Sequence, residues 1–241
     1  MPQSRWARCS WWRRHSSATA CSGRPVPRPE KPMSNLIDIS PVISGRIAVF
    51  PMDTPFEREV ILGFDRGNHL TLSRVRTTVH LGSHADAPIH YGEGGRTIDR
   101  QPLDLYVGPA RLVRVEGARG RAVTVEDVAG KVPFGTERVL IATGTYPDPE
   151  RWNDDFASID PALVGWLATR GVRLVAIDTP SVDQATSKDL PSHHAFFEHD
   201  VSIIEGVRLE GVPEGEYELI ALPLRIEGGD GSPLRAVLRT R

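Results

Sequence analysis

The sequence predicts a mixed α/β domain in which sheet predominates, on three observations. Short apolar, β-branched stretches bounded by Gly, Pro or Asp recur along the chain, each about the length of a buried strand. Only two segments carry clear helix start and stop signals, too few for a regular alternation of strand and helix. The 22 Gly and 20 Pro among 241 residues punctuate the chain with turns. With 39% hydrophobic and 25% charged residues, a chain of this length can bury the core of one large domain.

In chain order, residues 1–32 stand apart. They hold seven Lys or Arg against the single acid Glu30, together with Cys9, Cys21, Trp6, Trp11, Trp12 and a Pro-rich run, and show no helical or strand period. This segment is expected to be a disordered extension or a mis-assigned start, with the working domain spanning residues 33–241 from Met33 and the patterned Leu36-Ile37-Asp38-Ile39 onward. Because the whole chain carries −2, the body alone is more acidic still, which argues against nucleic acid as a partner. Both cysteines lie in the first segment, so any metal in the body must be held by His, Asp and Glu. No apolar run approaches the ~18 residues of a membrane span, and a soluble, cytoplasmic protein is expected.

The stretch from His80 to His90 places His80, His84, Asp86 and His90 on even positions. An extended chain would send all four to one face, whereas Gly82 and Pro88 are poor helix interiors. A straight strand would hold His80 and His84 ~13 Å apart, too far for two ligands of one ion. A bend is therefore expected, with Gly82 as the hinge and with Ser83 and Asp86 satisfying the backbone donors it exposes.

Further along, strands are expected at Arg111–Val115, Val139–Thr143, Arg173–Asp178 and Glu218–Leu222. A short helix should start at Thr124, with Asp127 placed as in a capping box and Gly130 as terminator. A stronger one should be capped by Asp160, begin at Pro161, bury Leu163, Val164 and Leu167, and end at Gly171. Trp166 falls in that apolar register. Trp152 is likewise expected in the core, and His69 in a loop.

A second group of donors lies at Ser192–Asp200, with Glu205 following. Together His80, His84, Asp86, His193 and Glu205 offer imidazole and carboxylate without sulfur, which suits Zn²⁺ and also Mn²⁺ or Fe²⁺. Five donors exceed what one catalytic zinc usually takes, so two divalent ions sharing Asp86 are expected. His90 fits a ligand, a proton shuttle or a structural histidine. His194 and His199 could orient ligands or simply sit at the surface.

The run His80-Leu81-Gly82-Ser83-His84-Ala85-Asp86-Ala87-Pro88-Ile89-His90 resembles the signature of the metal-dependent cyclase family, with Ser83 as its permitted variant. Within that family, Asp178-Thr179-Pro180-Ser181-Val182-Asp183, Ser187-Lys188, His193-His194, Ile204-Glu205-Gly206 and the tail Glu214–Pro223 are similar to the bacterial kynurenine formamidases. The resemblance runs from about Ile37 to Arg239. It implies one metal held by His80, His84 and Asp86, a second held by Asp86, His193 and Glu205, and a catalytic role for His90. It also implies a β-rich domain of the swivelling β/β/α type, a homodimer, and N-formyl-L-kynurenine as the small-molecule substrate in tryptophan breakdown.

One departure bears on substrate. Phe50-Pro51-Met52-Asp53 stands where these enzymes usually carry Trp-Pro-Gly-Asp, so the substrate-contacting position keeps an aromatic face but loses the indole N–H. Another amide hydrolase of the isatin-hydrolase kind is thus a competing expectation, and a non-catalytic metal-binding protein is one from a different class. Lys188 is open between a structural part and a contact to a substrate carboxylate. The chemistry expected is attack of metal-bound hydroxide on the formyl carbon while His90 delivers a proton to the departing nitrogen.

Overall fold

Alternation of apolar side chains along short strands builds the core in a computed structural model that describes residues 35–240. The expected extension, residues 1–32, lies outside the described residues. In chain order the strands are β1 (Leu36–Asp38), β2 (Glu57–Leu62), β3 (Leu72–Arg76), β4 (His84–Asp86), β5 (Val107–Arg114), β6 (Ala122–Val123) and β7 (Arg138–Ala142). They continue with β8 (Ser158–Ile159), β9 (Leu174–Ile177), β10 (Ser202–Glu205), β11 (Gly215–Ile220), β12 (Gly231–Pro233) and β13 (Val237–Thr240). The helices are α1 (Val125–Val128), α2 (Pro161–Thr169) and α3 (Pro191–Glu198).

Nine strands form one sheet in the order β1-β13-β11-β5-β7-β9-β10-β4-β12. Its centre, β5-β7-β9-β10, is parallel, and the strands on either side pair antiparallel. Central strands buried on both faces read as continuous apolar runs, as β7 (Arg138-Val139-Leu140-Ile141-Ala142) and β9 (Leu174-Val175-Ala176-Ile177) do. Leu140, Leu174 and Ala176 pack into one core cluster with Leu112, Tyr106 and Leu219. Val139, Ile141, Val175 and Ile177 face the other way, into a second cluster with Leu163, Val164, Leu167 and Phe196 of the helices. The architecture is mixed α/β with sheet predominant, as expected, and the four expected strands appear as β5, β7, β9 and β11 with shifted ends.

The two expected helices form where their caps lie. The Asp160 carboxylate accepts from Ala162 N at 2.8 Å, and Pro161 opens α2. Asp127 accepts from Thr124 N at 2.9 Å and from Arg121, which holds the start of α1. Trp166 lies partly buried against the second cluster with Arg170 stacked 4.0 Å over its ring. The third helix, α3, goes beyond the sequence expectation. Its eight residues include His193, His194, Phe196 and Phe197, none a strong helix former, so its stability comes from burying Ala195 and Phe196 rather than from local preference. Among the described residues, no helix is long and apolar enough to cross a membrane.

Candidate active site

The site forms where β4 lies between β10 and β12. In an antiparallel pair, residues directly opposite project from the same face, and the register sets Glu205 of β10 opposite His84 of β4. Gly231 of β12 stands opposite Asp86. A Cβ on Gly231 would come within 2.8 Å of His80 Cε1, so glycine there leaves room for that ring to lie against the strand.

The expected bend is present: Gly82 has φ +57°, the left-handed region open to glycine. Two details differ. Ser83 Oγ donates to the Gly206 carbonyl at 2.9 Å and so ties the bend to the end of β10, instead of capping backbone donors. The Asp86 carboxylate likewise turns to a side chain, with Oδ1 2.9 Å from His80 Nδ1. The strand covers only His84–Asp86, with Ala87 still extended, and His90 ends a 3-10 turn, Pro88–His90, because Pro88 cannot continue the ladder.

All five expected ligands converge. Donor atoms of His80, His84 and Asp86 lie within 4.8 Å of one another, as do those of Asp86, His90 and His193. Glu205 joins them with Oε2 3.2 Å from His84 Nε2 and Oε1 3.7 Å from His193 Nε2. His84, Asp86, His193 and Glu205 are buried, while His90 is partly exposed. The ring centroids of His80 and His90 lie 4.1 Å apart.

Two buried carboxylates this close need positive charge around them. Burial opposes ionisation of Asp86, yet the neighbouring imidazoles outweigh it and hold the carboxyl well below the usual range. Glu205 is pushed up, first by burial and then by the charge of Asp86. Burial also disfavours charge on His193 and His80, but the carboxylates prevail and raise them to about 10 and about 9. His90 moves the other way, lowered by burial with the nearby histidines reinforcing it. Asp86 Oδ2 is buried and makes no hydrogen bond. An orphaned carboxylate oxygen amid imidazole nitrogens is a donor set that a divalent cation would complete, and the residues present fit such an ion.

Three features of this site escape sequence reasoning. Asp183, itself buried, accepts from His193 Nδ1 at 2.7 Å and from the backbone N–H groups of Ser192 and His193, so it directs His193 Nε2 toward Asp86. Asp230 places Oδ2 3.1 Å from His80 Nε2 and 3.6 Å from His90 Nδ1. The third is an aromatic wall. Trp152, expected in the core, instead lines the cavity above the site with Phe50 and Tyr146, its ring 4.8 Å from Phe50 and 6.0 Å from Tyr146. It leaves the core because its indole N–H is satisfied at the edge by Asp154. The cavity holds about 460 Å³ and reaches down to His80, His84, His90, His193 and Glu205. His194 and His199 are exposed, and His69 lies in a loop. Lys188 is exposed and lies outside the cavity lining.

Residues 37–184 match the family model described as a cyclase. A kynurenine formamidase of Bordetella pertussis is 42% identical over 207 residues, 86% of this chain and 99% of that protein. The chain belongs to the cyclase family. Another family relative, a kynurenine formamidase of Bordetella avium, is 41% identical over the same shares. Among solved structures, one described as a predicted metal-dependent hydrolase from Bacillus stearothermophilus has 31% identity and a TM-score of 0.73, covering 86% of this chain and 98% of its own. Isatin hydrolase A of Ralstonia solanacearum shares the cyclase fold, with a TM-score of 0.71 at 22% identity over 86% of this chain and 92% of its own.

Proposed function

We propose that this chain hydrolyses N-formyl-L-kynurenine to L-kynurenine and formate, in tryptophan degradation, as a metal-dependent arylformamidase. The observation that carries this is the convergence of His80, His84, Asp86, His193 and Glu205 around an unsatisfied Asp86 oxygen, at the foot of a cavity walled by aromatic rings. The formamidases of Bordetella, alike over nearly their whole length, support it.

His80, His84 and Asp86 would hold one divalent ion, and Asp86, His193 and Glu205 a second, with zinc favoured by the nitrogen and oxygen donors and manganese an alternative. When bound, such ions polarise the formyl carbonyl and make water acidic enough to react near neutral pH. His90, lowered from its ordinary value, is neutral at pH 7 and free to take a proton. It accepts one from water as the new C–O bond forms, and returns it to the aryl nitrogen as the C–N bond breaks. Asp230 faces His90 Nδ1, which leaves Nε2 to carry that proton. Phe50 and Trp152, packed edge to face, give the substrate's aryl ring an aromatic wall to lie against. The swivelling β/β/α type, a homodimer and a cytoplasmic setting complete the proposal.

The test is release of kynurenine and formate by purified protein before and after chelation, with zinc or manganese restored, beside isatin as the competing substrate. Turnover of the formamide that chelation abolishes and metal restores is expected. Fully metallated protein that opens isatin and leaves the formamide untouched would overturn the assignment.

A further inference from the structure

The cavity carries an unequal distribution of charge. Asp53, Asp178 and Glu205 line it, and among the described lining residues Arg208 is the single permanently cationic side chain. Its guanidinium is held in place: Nη1 donates to the Pro147 carbonyl at 2.6 Å, and Nη2 lies 3.3 Å from Glu210. Pro147 directly follows Tyr146, so the same contact fixes the cation to the loop that forms the aromatic wall. Of the five N–H donors of a guanidinium, these two contacts leave the others available to a ligand.

Resting on the function proposed above, we infer that Arg208 is the specificity-determining residue that binds the α-carboxylate of the substrate's amino-acid tail. A formylated aryl ketone with such a tail carries its carboxylate about seven bonds, or at most ~9 Å, from the formyl carbon. Arg208 lies three residues beyond Glu205, at most ~10 Å along the chain, and its backbone N–H is anchored on the Ile39 carbonyl at 2.7 Å. With the formyl group beside His90 and Glu205, the tail extends within the same cavity that Arg208 lines. Asp53 and Asp178, on the walls away from the metal ligands, would repel it. A planar guanidinium already fixed by one carbonyl loses little freedom on binding and can meet a carboxylate through two N–H groups. Glu210, largely exposed, can swing into solvent when the carboxylate arrives.

The experiment compares N-formyl-L-kynurenine with 2′-formamidoacetophenone, which keeps the formanilide and ketone but lacks the amino-acid tail, on metal-loaded wild-type, Arg208→Ala and Arg208→Lys proteins. Binding of the products kynurenine and 2-aminoacetophenone is titrated in parallel. Wild type is expected to prefer the tailed compounds, in KM and in affinity, by about 10- to 100-fold. In Arg208→Ala that preference should collapse through KM with kcat for the tailed substrate little changed, and Arg208→Lys should recover part of it. Equal loss for both substrates in Arg208→Ala would overturn the inference and make the residue a tether for Pro147, leaving the formamidase function intact. No hydrolysis of either formamide would overturn the formamidase function instead. The product titration then decides Arg208 separately, and an affinity ratio unchanged by Arg208→Ala overturns its role.

Discussion

Glu205 and His84 are direct cross-strand partners of β10 and β4, with Glu205 Oε2 3.2 Å from His84 Nε2, and this pair joins residues over a hundred positions apart into one site. The other carboxylate oxygen, Oε1, accepts the Val182 N–H at 2.7 Å, so the side chain is fixed from two directions. Such preorganisation lets a carboxylate hold a metal without first losing rotamer freedom.

Glu205→Ala should therefore lose one ion per chain and most activity, by roughly 100-fold or more. Metal analysis after gel filtration checks it, with circular dichroism to confirm the fold. Full metal content in the folded variant would remove Glu205 from the ligand set.

Asp183 never faces the cavity, yet it holds the His193 ring through Nδ1. Asp183→Asn replaces a charged acceptor with a neutral amide and should weaken metal affinity by about 10- to 100-fold while substrate KM in saturating metal changes little. Competition with a chelating dye measures this. An affinity equal to wild type would make the Asp183–His193 contact a matter of folding alone.

His90→Ala separates proton handling from metal binding. Turnover should fall by about 10²- to 10⁴-fold with metal content retained. Because His90 also lies within ligand distance of Asp86 and His193, loss of metal in this variant would instead place it among the ligands.

The metal-free protein should respond to pH in a definite sense. His80 and His193 are raised from 6.5 to about 9 and about 10, so their protonation stabilises the metal-free fold fully below pH 6.5. That contribution is lost as pH rises through 9 and 10. Metal replaces those protons, so the Tm of metal-free protein should fall between pH 7 and 10 more steeply than that of the loaded protein. Zinc binding at pH 7 should also release protons, measurable by calorimetry in buffers of different ionisation heat. Binding without proton release would contradict the picture of imidazolium groups balancing Asp86.

Local signals made much of this molecule legible from sequence. The caps at Asp160 and Thr124 act over three residues or fewer, and the strands β7 and β9 announce themselves by continuous apolar runs, so both survive into the fold. The donors from His80 to His90 were legible because they share one short stretch bent at Gly82. Helix α3 was not, since His193, His194, Phe196 and Phe197 are weak helix formers and the segment gains its hold from burying Ala195 and Phe196.

By itself the sequence determined the sheet-rich class, the helix caps and which side chains could bind metal or carry a proton, because these depend on residue chemistry and short-range spacing. Only the tertiary structure decided that Glu205 meets His84, that Asp183 steers His193, that Trp152 leaves the core for the cavity, and that Arg208 is the one permanently cationic side chain among its described lining residues. Those relationships depend on strand register and on loops brought together across the sheet, and no local preference encodes which distant residue a strand will find beside it.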